Sequence, residues 1–257
     1  MHHWLKRLAA LAAPLLLTGC LWGPGKFTSD LALRKDGSFV LDYRGEIVLE
    51  TAEAMAKPPW LDSMAHCTVT GTAKARPCSA GEIADQKQAY EKKQKSDEEA
   101  TKAFGLPGTD EESNRAFAAK LMKYAGWRSV TYRGKGVFDV DYHMQGRLTQ
   151  DFAFPLMPDS SFVIPFIALR RRADGAVLVD APGLTGGANV FGPMAQQMGN
   201  AKSTPPSRAE GRFTVHTDGE IVTNNSEDGP SADPLGRQVH WDISPGSNKI
   251  PETLVRF

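Results

Sequence analysis

Apolar residues first gather in a block. After His2, His3, Lys6 and Arg7, the stretch from Leu8 to Leu17 is wholly apolar, and the small residues Thr18 and Gly19 follow. A basic start, a short apolar run and small residues make the pattern of an export leader. The block is too short to span a bilayer, which takes about 20 residues. Alternation then takes over. Phe27 to Leu33 alternates, and Phe39, Leu41, Tyr43, Ile47 and Val48 resume the pattern within Ser38 to Glu50. A period of two predicts half-buried strands. Asp36-Gly37 between the runs predicts a hairpin, because tight hairpin turns need positive φ. Asp174-Gly175 and Asp218-Gly219 repeat the device. Three such hairpins predict an antiparallel meander rather than alternating strand–helix units.

The alternation breaks over residues 51–105. Residues 51–78 contain Pro58-Pro59 and read as irregular. Ser79 followed by Glu82 fits the reciprocal capping pattern, which predicts a helix running to Phe104 and stopped by Gly105 and Pro107. Ile83, Tyr90 and Phe104 are few among Lys87, Lys92, Lys93, Lys95, Asp97, Glu98 and Glu99, so this helix is expected to lie in solvent. Thr109-Asp110-Glu111-Glu112 repeats the capping spacing. Phe117, Leu121 and Tyr124 follow as a helical stripe with Gly126 as the stop, so a second helix is expected to pack on the sheet. Further strands are predicted at Trp127–Arg133, Phe138–Met144, Leu148–Phe154, Phe162–Leu169, Val177–Val179, Arg212–Thr217, Glu220–Thr223, Gln238–Ile243 and Thr253–Phe257. The expected fold class is α+β: a curved antiparallel sheet built of hairpins, with one packed helix and one exposed charged helix. Residues 20–257 would form a single domain with an insertion at 51–105.

Composition sharpens this picture at two points. The chain has 257 residues with 30 Lys+Arg against 30 Asp+Glu, and loss of Lys6 and Arg7 with the leader would leave 28 against 30. That balance gives no basic face for nucleic acid. Of the three cysteines, Cys67 and Cys78 have ten residues between them within the irregular stretch. A cysteine pair in an exported chain predicts a disulfide. The rival reading, two metal-binding thiolates, wants a C-x-x-C pair or nearby histidines, and only His66 is close.

Motifs with chemistry are few. Gly23-Pro24-Gly25-Lys26 fails the spacing of a phosphate loop, and Gly134-Lys135-Gly136 lacks the third glycine of a dinucleotide fingerprint. G-x-S-x-G, H-E-x-x-H and calcium-loop spacings are absent from the sequence. Asp141-x-His143, His216-x-Asp218 and His240-x-Asp242 each place a His and an Asp on the polar face of a predicted strand. One reading is an ordinary solvated sheet face. The other is a metal or acid–base site formed by His143, His216 and His240, which requires the three strands to be neighbours. Residues 182–206 differ again. Gly183, Gly186, Gly187, Gly192 and Gly199 alternate with Val190, Phe191, Met194 and Met198. The segment from Gly183 to Met198 is expected to be either a lipid-contacting flap or a cap on the core.

Leu17-Thr18-Gly19-Cys20 resembles the lipobox of bacterial lipoproteins. The resemblance implies that residues 1–19 are cut away and that Cys20 carries a diacylglycerol on its thiol and an acylated amino group. Two or three such chains, at about 0.8 kcal/mol per buried CH2, hold a protein firmly on a membrane. In enteric lipoproteins an Asp after this Cys favours the inner membrane. Leu21 stands there instead, so the outer membrane, facing the periplasm, is expected. The alternative is an ordinary secretory signal with a chance cysteine. The strings G-E-I-V-T-N-N, G-R-Q-V-H-W-D-I-S-P-G and L-V-R-F are similar to the end of the LppM-like lipoprotein domains of mycobacteria and related bacteria. The matching positions are Gly219, Asn224, Gly236, Val239, Trp241, Pro245 and Gly246. That likeness implies an α+β domain with a role in the envelope and contact with lipid, and brings no catalytic residues. The expected function is a lipid-anchored, non-enzymatic envelope protein without a cofactor, contacting envelope lipid or an envelope protein. A metal-dependent hydrolase using the histidine face and a protein–protein adaptor are the rivals.

Overall fold

The computed structural model describes residues 22–49, 59–69, 73–103, 107, 110–156, 165–185 and 207–257. Strands β1 (Gly23–Leu33) and β2 (Ser38–Val48) form the expected hairpin, with Gly37 at φ 79°. The short pair β3 (Cys67–Thr68) and β4 (Ala75–Arg76) leads into α1 (Ala80–Ala103). Helix α2 (Glu111–Leu121) precedes β5 (Trp127–Gly134), β6 (Val137–Arg147), β7 (Phe152–Phe154), β8 (Ile167–Arg171) and β9 (Val177–Asp180). The chain closes with β10 (Glu210–Thr217), β11 (Glu220–Asn224), β12 (Ser231–Asp233), β13 (Gly236–Ile243) and β14 (Glu252–Arg256).

The strands form two main sheets. The larger has seven strands in the order β12-β13-β10-β1-β2-β6-β5, and the smaller has five in the order β11-β14-β9-β8-β7. Among the described residues, every pairing is antiparallel except that of β1 with β10, which run parallel from Lys26↔Glu210 to Leu33↔Thr217. The expected α+β class and hairpin-rich antiparallel sheets are thus observed. Periodicity alone did not give the division into two sheets.

The division buries the apolar parity of both. Tyr43, Tyr142 and Trp127 of the large sheet close around Phe154 of β7, with ring centroids 5.1, 4.4 and 6.1 Å away. Phe39 meets Phe152 at 4.9 Å. Farther along the same inner face, α2 lays Phe117 5.3 Å from Trp22 and 6.1 Å from Phe138. Val177, Val179, Ile167, Leu169 and Val255 complete the cluster from the small sheet. Among the described residues, α1 contributes nothing to this core, as its thin apolar content predicted.

The fold starts early on the described chain: Trp22 is 7% exposed and β1 already begins at Gly23. Three expectations need correction. The second helix is capped by Asp110, whose carboxylate accepts from the Ser113 amide at 2.7 Å, not by Thr109. It ends at Leu121, short of Gly126. Asp218-Gly219 joins β10 of one sheet to β11 of the other and closes no hairpin. Among glycines, Gly37 and Gly175 take positive φ at the two true hairpins, whereas Gly219 sits where a Cβ would come 2.8 Å from the Arg256 carbonyl oxygen. A close approach, and no left-handed turn, requires the glycine there. Finally, Gly183, Leu184 and Thr185 belong to a short buried 3-10 turn, so the expected flap cannot begin at Gly183. Its proposed contacts Val190, Phe191, Met194 and Met198 lie outside the described residues, as does Cys20.

Candidate functional site

The outer face of the seven-stranded sheet carries the three histidines that sequence spacing singled out. Register puts His143, Asp42, Asp30, Thr214 and His240 in one transverse row across five strands. His216 pairs with Ala32 in the next row. All three imidazoles are half-buried, at 24, 22 and 24% side-chain exposure. They do not converge. Strands β1 and β2 stand between β6 and β10, so His143 and His216 rise from strands roughly 14 Å apart at about 4.8 Å per strand.

Each histidine has its own carboxylate. His143 Nδ1 lies 2.9 Å from Asp42 Oδ1. His216 Nδ1 lies 3.0 Å from Asp233 Oδ2, with its Nε2 3.5 Å from Asp30. His240 Nε2 is 3.3 Å from Asp228. The expected partners two residues away in sequence are otherwise engaged. Asp141 faces Arg44 at 3.6 Å, Asp242 accepts two bonds from Arg212 at 2.7 and 2.9 Å, and Asp218 accepts the Lys35 amide. Side chains two apart along a strand stand nearly 7 Å apart, whereas cross-strand neighbours stand about 5 Å apart, so the cross-strand bond wins. The Leu235 amide and then His216 hold the Asp233 carboxyl below the usual carboxylate range. Arg212 does the same for Asp242. Among the described residues, no group of three or more His, Cys, Asp or Glu is placed to hold a metal ion. The face carries local His–carboxylate and Arg–carboxylate contacts with no common centre.

Sequence reasoning missed Asp30, Asp42, Asp228 and Asp233 as partners. Parity could have found the first two, since both fall on the polar phase of their strands. The second pair depends on the β11–β13 connection, which leaves no periodic signal.

A second feature is built by the insertion. Cys67 and Cys78 are bonded, with Cα atoms 5.3 Å apart. Gln86 of α1 grips the hairpin at both ends of its amide: it accepts from the His66 amide at 3.0 Å and donates to the His66 carbonyl at 3.2 Å. Trp60 and Tyr90 set their rings 5.5 Å apart at a tilt of 57° beside it. The predicted capping box is present, with the Glu82 carboxylate on the Ser79 amide at 2.9 Å and the Ser79 hydroxyl on the Glu82 amide at 3.3 Å. Arg76 adds a forked pair to the same carboxylate, and together they hold Glu82 down to about 2. This stapled knob exposes Leu61, Met64 and Val69.

A third feature is the end of the large sheet where the chain enters the fold. Gly23 pairs with Val48 and Val48 with Val137, so one transverse row joins the start of β1, the end of β2 and the start of β6. The Leu49 amide continues the ladder to the Gly136 carbonyl at 2.8 Å. Among the described residues, no helix is long and apolar enough to cross a membrane.

The string that carried the family likeness also has a structural role. Trp241 donates its ring N–H to Asn225 Oδ1 at 2.8 Å, and the Asn225 amide group donates to the Ile250 carbonyl at 2.7 Å. These bonds tie β13 of one sheet to the approach of β14 in the other.

No family model and no curated protein matches the chain. Among solved structures, the folded domain of the Mycobacterium tuberculosis protein LppM, determined by NMR, aligns over 91% of this chain and 92% of its own. The identity is 14% and the TM-score 0.31. The overlap is extensive in length and low in geometric agreement.

Proposed function

We propose that this chain is a lipid-anchored protein of the bacterial envelope, acylated at Cys20 and without catalytic activity, whose domain works in contact with envelope lipid. The observation that carries the reading is the lipobox-like Leu17-Thr18-Gly19-Cys20 at the close of a basic, apolar leader, with the buried Trp22 and then β1 following directly after it in sequence. Leu21 in place of an aspartate directs the reading to the outer membrane, with the domain in the periplasm. The separately paired histidines favour a structural polar face over hydrolysis.

Metabolic labelling with an alkyne fatty acid tests the anchor. The wild-type chain is expected to take up label and sediment with outer-membrane fractions, and Cys20→Ala is expected to lose both. Equal labelling of the two chains would sink the proposal. A second reading, an adaptor for another envelope protein, is favoured by the exposed Leu61, Met64 and Val69 on the stapled knob. It predicts that a Leu61→Ser/Met64→Ser variant keeps its label and loses a cross-linked partner.

A further inference from the structure

We infer that the end of the seven-stranded sheet where Trp22 enters lies against the bilayer, and that the turn Gly134-Lys135-Gly136 at that end contacts anionic phospholipid headgroups. The inference rests on the acylation of Cys20 proposed above.

Chain length sets the geometry. Two residue steps separate Cys20 from Trp22, a reach of at most about 7 Å. Trp22 cannot swing out to lengthen that reach, because its ring is packed between Phe117 and Phe138, 5.3 and 5.4 Å from them. The acylated residue is therefore held within one turn of chain from the rim. The row Gly23, Val48, Val137 marks that rim. Two strand spacings, about 10 Å, separate Gly23 from Val137. The turn before Val137 projects past the row, toward the anchor side.

Lys135 is placed at the tip of that turn. It takes φ 51°, and among the described residues no other non-glycine has a positive φ. Glycines flank it on both sides at φ 96° and 74°. Two arginines near the turn are spoken for: Arg133 binds Asp139, and Arg115 binds Glu111. Lys135 is exposed and has no ion-pair partner among the described residues. A lysine exposed at the tip of that turn can meet the headgroup phosphates of an anionic bilayer lying against the rim.

The opposite end of the sheet holds a built-in reference. Lys35 lies in the turn after β1 and is likewise exposed. The eleven residues of β1 put it roughly 35 Å from the anchored rim.

The experiment uses the acylated full chain in vesicles of phosphatidylglycerol and phosphatidylethanolamine. A membrane-impermeant amine-reactive ester modifies the lysines, and mass spectrometry gives the ratio of modification at Lys135 to that at Lys35. A second chain carries a flexible 12-residue Gly-Ser insert between Leu21 and Trp22, which keeps the anchor and frees the domain by roughly 20 Å. The ratio is expected to be several-fold lower in the natural chain than in the insert chain. Equal ratios in two chains that both sediment with vesicles would overturn the orientation and leave the anchor standing. Failure of the natural chain to sediment would overturn the anchor, and the orientation with it.

Discussion

Gly45 and Gly211 flank Phe27 on the two neighbours of β1, and neither has room for a side chain. A Cβ would fall 2.1 Å from the Lys26 carbonyl oxygen at Gly45 and 2.0 Å from the Phe27 carbonyl oxygen at Gly211. Backbone cannot yield as a side chain would. Gly211→Ala is therefore expected to cost about 3 kcal/mol or more, measured by denaturant unfolding. Gly37→Ala meets nothing within 4 Å but keeps φ 79°, so it should cost only about 1–2 kcal/mol. Equal losses at the two sites would contradict this account of the crowding. Tyr43 is fully buried and donates to the Glu46 carbonyl at 2.8 Å. Tyr43→Phe strands that acceptor at a cost of about 1 kcal/mol by the same assay. Glu82 titrates at about 2 in the fold against an ordinary 4.5. A depressed carboxyl stabilises the fold above its unfolded value, and the contribution disappears as pH falls through the folded one. Glu82→Gln should thus speed amide exchange at the start of α1 near pH 6 and make much less difference near pH 2. An effect of equal size at both pH values would show that the carboxylate's charge is not what holds the turn.

The stapled hairpin and α1 form an element-scale unit with contacts of its own. Its disulfide is worth roughly 3 kcal/mol in the chain-entropy model. The core of the two sheets includes none of its described residues. Replacing Cys67 and Cys78 together by serine is expected to speed amide exchange over residues 60–90 while leaving the midpoint for the sheets nearly unchanged. A large drop in that midpoint would show that the unit braces the sheets. Much of this scale was legible in advance. Both helices, most strands and two of the three Asp-Gly hairpins follow from period and turn chemistry, which are local. The third Asp-Gly misled because its glycine answers to Arg256, 37 residues on, and such contacts leave no trace in nearby residues. The parallel pairing of β1 with β10 was invisible for the same reason.

At the scale of the whole molecule, the polar face and the core are two parities of one sheet. Alternation predicted which side each histidine takes, so the face was legible. It could not predict strand order, and strand order decides whether three histidines meet. The rim where the chain enters the fold is legible only when sequence and packing are set side by side: the lipobox likeness names Cys20 as the proposed anchor, and packing alone reveals that Trp22 leaves no slack. The pairing of β1 with β10 has a consequence in time. Lys26 finds its partner Glu210 only after 184 further residues have been made. Until then one edge of the first hairpin is open, and its unpaired amides and carbonyls can template wrong partners. Contacts this distant in sequence also slow folding. The domain should therefore complete late in its own synthesis, and a chain shortened to end before Glu210 should aggregate, as light scattering would reveal, while one ending just after β14 should not. The strand made first waits longest, and until its partner arrives the newborn chain carries an open edge.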